Sequence, residues 1–382
     1  MAAQERPVFW HKEPNGPGFW AVTRYEDVCA VGRDPKTFSS SVGGVLVFDV
    51  PPEGLPFLRN NPLVMDPPRH TQYRALVSQQ FAPRAARAWQ PRIEQLAHKI
   101  VDRLIDRGEF DLVSQIADEL PSHVIAQLMG VPLEECRRIH RWSEKVLSPE
   151  EFVPQAEKTR LSIEMLQYAR GMVEEKRKHP GDDLGTRLLE SEIDGHGLTP
   201  EEHTFFFTLL IDAGGQTTRN LLGGGMLALF QNPAERRQLQ SDLDRLLPGA
   251  IEEMLRYVSP VVHFRRTASC DTELRGKKIR AGDKVVMYYG SANRDESVFT
   301  DPDLFDITRT PNEHIAFGGG GPHFCLGAHI ARIEIQVMLR EILTRLPDIE
   351  AAGPALWLPS NFISGPCRLP VRFSAGGVPR DL

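Results

Sequence analysis

The stretch FGGGGPHFCLG, residues 317 to 327, places Cys325 on a glycine-rich loop directly before a helix. The next segment has the apolar spacing of an amphipathic helix, at Leu326, Ile330, Ile333 and Val337. Free N–H groups at a helix start carry partial positive charge, and glycines let the backbone approach sulfur. The position therefore favours a metal-binding thiolate at Cys325, with a buried structural cysteine as the alternative. His323 is placed to meet an anionic group of a bound cofactor.

A long helix is predicted over residues 200–231. Thr199 and Glu202 form a capping box at its start. At about 1.5 Å per residue, a helix of about 32 residues spans roughly 48 Å, which is enough to cross a domain. Gly214 and Gly215 lie in its interior, where each glycine costs about 1 kcal/mol, and the close approach of a ligand would explain them.

Two charged pairs occur at helical spacing. His70 and Arg74 lie four residues apart and so face one side of a predicted helix, where a solvated face is the alternative. Glu253 and Arg256 lie three apart, a spacing that makes an ion pair natural on any helix. Neither pair indicates a function by itself. Each becomes informative only through its position in the chain relative to the cysteine loop.

In their order along the chain, HxxxR, AGGQTT at residues 213–218, ExxR and the cysteine loop resemble the motifs of the cytochrome P-450 family of haem-thiolate monooxygenases. The resemblance implies one domain over residues 1–382, mainly α-helical with small β-sheets, and a long central helix that carries an oxygen-binding groove. It also implies that an N-terminal helix found in the family is missing or trimmed here.

The resemblance implies haem b, with Cys325 as the axial iron ligand and cationic residues on the propionates. The cofactor-binding residues that it implies are His70, Arg74, Ala213, Gly214, Arg266, His323, Cys325 and Gly327. Of the two arginines in the predicted strand HFRRTA, alternation turns Arg265 away from Arg266. Phe317 lies eight positions before the cysteine instead of the family's seven, so the loop carries one extra residue.

Thr217 falls at the position of the family's oxygen-binding threonine. The residue before it is normally an acid but is Gln216 here, and an amide orients water without titrating. Asp212 lies one turn earlier on the same face and either supplies the missing acid or contacts substrate or a neighbouring side chain. We expect these three residues to be catalytic, while Glu253 and Arg256 lock the core behind the haem.

The implied reaction inserts one oxygen atom from O2 into a C–H bond or a double bond. Electrons would come from NAD(P)H through a separate ferredoxin and its reductase. A cluster of basic residues either docks this acidic donor or is simply solvated: Arg69, Arg84, Arg87 and Arg92. The apolar residues expected to line a substrate pocket are Leu209, Val261, Val262, Phe362 and Ile363. The apolar loop 41–65 would cover it, and the substrate would be a lipid, sterol, terpenoid or polyketide.

The composition of the chain limits the classes of protein to which it can belong. The chain has 382 residues, 41% hydrophobic and 25% charged, and its formal charge of −6 argues against a nucleic-acid binder that acts through general basicity. Its five cysteines lack CxxC spacing and are odd in number, which favours neither a disulfide framework nor a zinc site. With no apolar run long enough to span a bilayer, we expect a cytoplasmic, monomeric bacterial protein.

Two other functions fit the same motifs. A haem-thiolate enzyme that uses peroxide would need no acid before Thr217, so Gln216 favours it slightly. A non-catalytic haem protein that binds a ligand is the second.

Overall fold

Helices dominate the computed structural model, which describes residues 6–13, 16–148 and 150–376. The helices are α1 Tyr25–Arg33, α2 Leu55–Leu58, α3 Arg69–Ser78, α4 Pro83–Asp102, α5 Glu119–Met129, α6 Leu133–Leu147, α7 Gln155–Lys178, α8 Leu184–Leu189, α9 Pro200–Gln231, α10 Pro233–Ser241, α11 Leu243–Val258, α12 Tyr289–Ala292 and α13 Ala328–Arg345. Shorter helical turns cover Pro62–Val64, Gln79–Phe81 and Val113–Ala117.

The strands form small sheets at the edge of the helical body. They are β1 Val8–His11, β2 Phe19–Val22, β3 Phe38–Ser39, β4 Glu109–Asp111, β5 Glu192–Ile193, β6 His196–Gly197, β7 His263–Ala268, β8 Thr272–Leu274, β9 Lys277–Ile279, β10 Lys284–Tyr288, β11 Glu350–Ala351, β12 Leu356–Trp357, β13 Pro366–Arg368 and β14 Pro370–Arg372. The largest sheet has the order β1-β2-β10-β7-β3, with β2 and β10 parallel. The predicted mainly α-helical class with small sheets is confirmed.

The central helix, α9, has the predicted bounds. The Thr199 side chain accepts from the Glu202 N–H and the Glu202 side chain accepts from the Thr199 N–H, which completes the capping box. Most of the helix is buried, because α5, α6, α7, α11 and α13 surround it. Because most of its circumference is enclosed, the helix is largely apolar and lacks the continuous polar face of a surface helix.

The glycines inside the central helix are explained by helix packing. A Cβ on Gly214 would lie 2.9 Å from Ile125 Cδ1 on α5, and one on Gly215 would lie 2.1 Å from His140 Cε1 on α6. The prediction that ligand approach accounts for these glycines is therefore wrong. The helix is also continuous through this region, without the local opening that the family resemblance implied.

Two short hairpins lie outside the main sheet. The helical pattern of residues 183–193 would predict a helix throughout, but α8 ends at Leu189, and β5 pairs with β6 across a turn in which Asp194 and Gly195 have positive φ. This Asp-Gly pair is a hairpin signal that outweighs helical periodicity. Near the end of the described chain, β12 and β13 form an antiparallel hairpin whose connection contains Phe362 and Ile363, while β14 lies between β4 and β11. Within the described ranges, no helix combines the length and apolarity that crossing a bilayer requires.

Candidate active site

The ligand loop, residues 317–327, is closed by a hydrogen bond from the Cys325 N–H to the Phe317 carbonyl at 2.9 Å. The backbone adopts φ between +80° and +102° at three of its glycines, Gly318, Gly320 and Gly321. Residues other than glycine rarely adopt these backbone angles, so the conformation of the loop depends on its run of glycines. The Phe317 ring faces the Arg332 guanidinium at 4.6 Å.

The extra residue of the ligand loop is accommodated against α1. A Cβ on Gly319 would lie 2.9 Å from Cys29 Cα, and one on Gly321 would lie 2.2 Å from the Gly32 carbonyl oxygen. Arg33 Nε donates to the Gly319 carbonyl at 2.9 Å. The loop therefore lies directly on the helix backbone and is held there by a hydrogen bond.

The Cys325 side chain is accessible, although desolvation by surrounding protein is the largest influence on its pKa. Together these observations describe a side chain that lines a deep cleft. Burial raises the pKa of Cys325 overall, while the Gly327 N–H and the charges of Arg74 and Arg332 lower it. The following helix, α13, begins at Ala328, three residues after Cys325, so its N-terminus lies close to the sulfur without including it. A coordinated metal would deprotonate the thiol outright.

Two stacked histidines lie beside the cysteine. The rings of His70 and His323 are 4.0 Å apart between centroids, and His323 Nε2 lies 3.3 Å from Ser40 Oγ. Burial, aided by neighbouring arginines, lowers the pKa of His70 to about 4 and that of His323 to about 2. Both rings are therefore neutral near pH 7. Buried His70 Nδ1 has no hydrogen-bond partner among the described residues.

Two arginines complete this basic cluster. Arg74 is half-buried and Arg266 is buried, and desolvation lowers the pKa of each. Neither forms an ion pair with a carboxylate in the described part of the chain, and Arg266 donates only to the Arg265 carbonyl, at 2.8 Å. Buried cations without a counterion are costly, so the cluster requires an anionic partner. Carboxylates such as haem propionates fit this requirement.

Arg265 points to the other face of the strand, as predicted, and holds the lid segment, residues 41–65. It donates to Asp49 at 2.9 Å, and Lys284 Nζ lies 2.9 Å from the same carboxylate. Desolvation opposes them, but the two cations lower the pKa of Asp49 overall. We call these three residues the Asp49 clamp.

A second anchor, Asp66, follows the lid segment and binds residues at the start of that segment. Asp66 accepts from the Ser40 N–H at 2.8 Å and from Ser41 Oγ at 2.7 Å. Between the anchors, Phe57 is half-exposed and packs edge-on against Phe205 of the central helix, with centroids 4.9 Å apart. The lid segment therefore reaches the central helix through an aromatic contact.

The predicted oxygen groove lies in the middle of the central helix. Ala213 is exposed although most of the helix is buried, and Thr217 Oγ1 donates to the Ala213 carbonyl at 3.1 Å. Gln216 is buried and its Nε2 donates to Asp212 Oδ1 at 2.9 Å. The structure therefore brings the three predicted catalytic residues onto consecutive turns, with Asp212 bonded directly to Gln216.

The ExxR pair is fully buried and fully satisfied. Arg256 contacts the Glu253 carboxylate with two hydrogen bonds, at 2.7 and 2.8 Å, and both side chains are 0% exposed. Arg256 also donates to three backbone carbonyls, those of Asn293, Pro302 and Leu304. The pair thereby fixes the chain that leads into the ligand loop.

The neighbouring residue Glu252 was not singled out from the sequence. It binds Arg332 of α13 with two contacts at 2.7 Å and lies 3.0 Å from His314 Nε2. Desolvation opposes these partners, yet they lower the pKa of Glu252 to about 2. No local pattern predicts this link, because its partners lie 62 and 80 residues away.

Four of the five predicted pocket residues meet in space. The Val262 N–H donates to the Phe362 carbonyl at 2.8 Å, and Val261 forms an isolated bridge with Ile363. The Phe362 ring lies 5.3 Å from that of Phe264. Leu209, the fifth, is half-buried on the central helix one turn before Ala213.

The cytochrome P450 family model matches residues 157–347. A methyl-branched lipid omega-hydroxylase of Mycobacterium tuberculosis is 42% identical over 365 residues, which cover 94% of this chain and 85% of that protein. A steroid C26-monooxygenase of Rhodococcus jostii is 38% identical and is matched over 98% of this chain and 81% of its own length.

Solved structures agree. A Mycobacterium marinum cytochrome P450 in complex with pseudoionone has a TM-score of 0.89 at 40% identity, with 97% of this chain and 93% of that chain covered. A Bacillus megaterium cytochrome P450 in complex with testosterone has a TM-score of 0.89 at 35% identity, with coverages of 97% and 96%. The chain therefore belongs to the cytochrome P450 family, whose members are haem-thiolate monooxygenases that use O2 and electrons derived from NAD(P)H.

Proposed function

We propose that this chain hydroxylates a large apolar substrate, a lipid or a steroid, and that the Cys325 sulfur would hold the iron of haem b. The observation that carries the proposal is the accessible Cys325 on the ligand loop beside a basic cluster that lacks counterions. When bound, the haem supplies O2 activation, with the thiolate donating electron density that favours O–O cleavage.

The basic cluster binds the propionates in this proposal. Arg74 and Arg266 supply charge, while His70 and His323, whose rings are neutral, each offer one ring N–H as a donor. The ligand-loop position of Gly327 completes the thiolate environment, since its N–H donates to the sulfur. Gly214 is not assigned a cofactor contact, since its missing side chain makes room for Ile125 instead.

Thr217, Gln216 and Asp212 handle protons in the groove beside Ala213. One oxygen atom enters a C–H bond as a hydroxyl group and the other leaves as water, so each turnover consumes two electrons and two protons. Gln216 cannot titrate, whereas Asp212, bonded to it, can hold and release a proton. Asp212 therefore serves as the acid that the family normally carries one residue before the threonine.

The choice of a lipid or steroid rests on the relatives' named substrates and on the apolar wall formed by Val261, Val262, Phe362 and Ile363. Both classes are large and mostly apolar, as such a wall requires. Titration with phytanic acid, a methyl-branched fatty acid, and with testosterone tests this choice. A spin-state shift of the haem absorption band with either compound supports it, and none with either contradicts it.

Electrons reach the enzyme from a separate ferredoxin and reductase in this proposal. Arg84, Arg87 and Arg92 are exposed on α4 and suit an acidic donor. Arg69 does not join them, because it is paired with Glu202 at 2.8 Å. A single-domain, cytoplasmic monomer is part of the same proposal, and the unpaired cysteines of the described residues suit a reducing compartment.

The deciding experiment is the difference spectrum of the reduced protein under carbon monoxide. We expect a strongly red-shifted Soret band that is lost in Cys325→His. A folded, haem-loaded wild-type protein without that band would refute the thiolate assignment.

A peroxide-using enzyme is the second candidate, favoured by the amide at Gln216. Product formation with hydrogen peroxide alone, and none with NADPH, a ferredoxin and its reductase, would establish it.

A further inference from the structure

The segment that leads into the ligand loop is attached to α1 at two points. Near the start of α1, the Tyr25 hydroxyl donates to the Glu313 carbonyl at 2.7 Å. At the end of α1, Arg33 Nε donates to the Gly319 carbonyl at 2.9 Å. The helix has nine residues and is roughly 14 Å long at about 1.5 Å per residue. Its two ends therefore hold the two ends of residues 313–319.

Gly319 lies on α1 without room for a side chain. A Cβ there would lie 2.9 Å from Cys29 Cα and 3.0 Å from Cys29 Sγ. Unlike three other glycines of the ligand loop, Gly319 does not have a positive φ, so this glycine is required by the contact and not by the backbone conformation. Gly319 is buried, and its carbonyl needs a donor, which Arg33 supplies.

The helix α1 is itself fixed to the body of the protein. The Tyr25 N–H, the first of the helix, donates to Asp295 Oδ2 at 2.9 Å, and the same carboxylate pairs with Arg24. Asp27 in the first turn is buried and pairs with Arg275. A carboxylate at a helix start satisfies N–H groups that have no partner within the helix. The helix is therefore a fixed support for the ligand loop.

This support reaches the cysteine through one hydrogen bond. The Cys325 N–H donates to the Phe317 carbonyl at 2.9 Å, and Phe317 lies within the residues 313–319 that α1 holds. Because the sulfur is attached to that backbone, a displacement of Phe317 from α1 would also displace the Cys325 side chain.

We propose that α1 fixes the position of the Cys325 sulfur, with Arg33 as a positioning residue that acts through Gly319 and Phe317. The additional residue of the ligand loop supplies the contact with α1. The inference rests on the proposed function, in which Cys325 holds the haem iron. Without the bond from Arg33, the loop is held less firmly and the sulfur separates from the iron more readily.

The first test follows the thiolate bond directly. The holoenzyme is reduced under carbon monoxide, and the rate is measured at which the red-shifted Soret band converts to a band at shorter wavelength, which reports loss of the thiolate. We expect Arg33→Met and Gly319→Ala each to speed this conversion several-fold. Arg33 is exposed, so Arg33→Met decides the question even where Gly319→Ala fails to fold.

Two control variants match these changes. Lys36→Met removes an exposed cation in the turn after α1, whose side chain forms no hydrogen bond to the ligand loop among the described residues. Gly32→Ala adds a Cβ on the same face of contact, 3.6 Å from the Gly320 carbonyl oxygen, which is an ordinary contact distance. Both controls should convert at the wild-type rate.

The second test measures the loop without reference to the iron. Amide hydrogen exchange of residues 315–327, read by mass spectrometry, should be faster in Arg33→Met than in the wild type and in Lys36→Met. A merely structural role for Arg33 would lower the melting temperature while loop exchange and band conversion stayed at wild-type rates.

The outcomes separate the two proposals. Wild-type conversion and exchange rates in Arg33→Met overturn the positioning role and leave the thiolate assignment intact. Equal acceleration in Arg33→Met and Lys36→Met also overturns it, because loss of charge alone would then explain the effect. Absence of the red-shifted band in the folded, haem-loaded wild type overturns the thiolate assignment and the positioning role with it.

Discussion

Gly215→Ala tests whether the central helix depends on the empty space that receives His140. Alanine in a helix interior normally stabilises by about 1 kcal/mol relative to glycine. Here its Cβ would lie 2.1 Å from His140 Cε1, so the ring must move. Overpacking costs typically about 1–3 kcal/mol, and loss of the bond to the Ile211 carbonyl adds roughly 0.5–1.5 kcal/mol. The expected result is a net loss of about 1–3 kcal/mol in the free energy of unfolding.

Urea denaturation followed by circular dichroism measures this loss. Gly171→Ala is the matched control, because Gly171 lies within α7 and a Cβ there would meet nothing within 4 Å. The control should gain up to about 1 kcal/mol. A second change, His140→Ala, should recover part of the stability lost in Gly215→Ala, since it removes the clash. Equal stabilisation by Gly215→Ala and Gly171→Ala would refute the packing argument.

Three further changes probe buried charge. Glu253→Gln should lower the free energy of unfolding by about 3–5 kcal/mol in urea titrations, because it leaves Arg256 charged at 0% exposure; a loss below 1 kcal/mol would contradict this. Burial raises the pKa of Glu334 well above its ordinary 4.5, so the folded chain retains a proton that the unfolded chain releases. The stability of the protein therefore falls as pH rises above 4.5. The melting temperature of Glu334→Gln should not show this decline. Arg332 and His314 lower the pKa of Glu252 to about 2, so their stabilisation is present above pH 4.5 and is lost as pH falls toward 2; acid titration of Glu252→Gln should be flatter than that of the wild type.

Local chemistry explains why much of the fold was predictable. The capping box at Thr199 and Glu202 and the apolar composition after it fix the bounds of the central helix without help from the rest of the molecule. The ion pair of Glu253 with Arg256 also follows from spacing, although its complete burial does not.

Contacts between distant segments could not be predicted from the sequence. The bonds of Glu252 to Arg332, of Ser143 to Asp212 and of Asp49 to Lys284 join residues far apart in sequence, and no period or motif encodes them. The sequence also could not show why Gly214 and Gly215 lie inside the central helix. A glycine indicates that space is needed beside the backbone, but not whether a ligand or a neighbouring helix fills that space.

The lid segment has an uneven construction that bears on engineering. Asp66 binds residues at the start of the segment, the Asp49 clamp holds it near residue 49, and Arg59 Nε donates to the Ser41 carbonyl at 2.9 Å. Between Asp49 and Arg59 the segment touches the central helix through Phe57. Residues 50–58 can therefore be exchanged as one block to test whether the segment selects which molecules enter, while the two carboxylates, Arg59 and Asn61 keep the graft aligned. An exchange that removes Asp49 would instead leave two buried cations without this carboxylate, since the side chains of Lys284 and Arg265 are 3% and 5% exposed. Lys284 would keep its ion pair with Glu13.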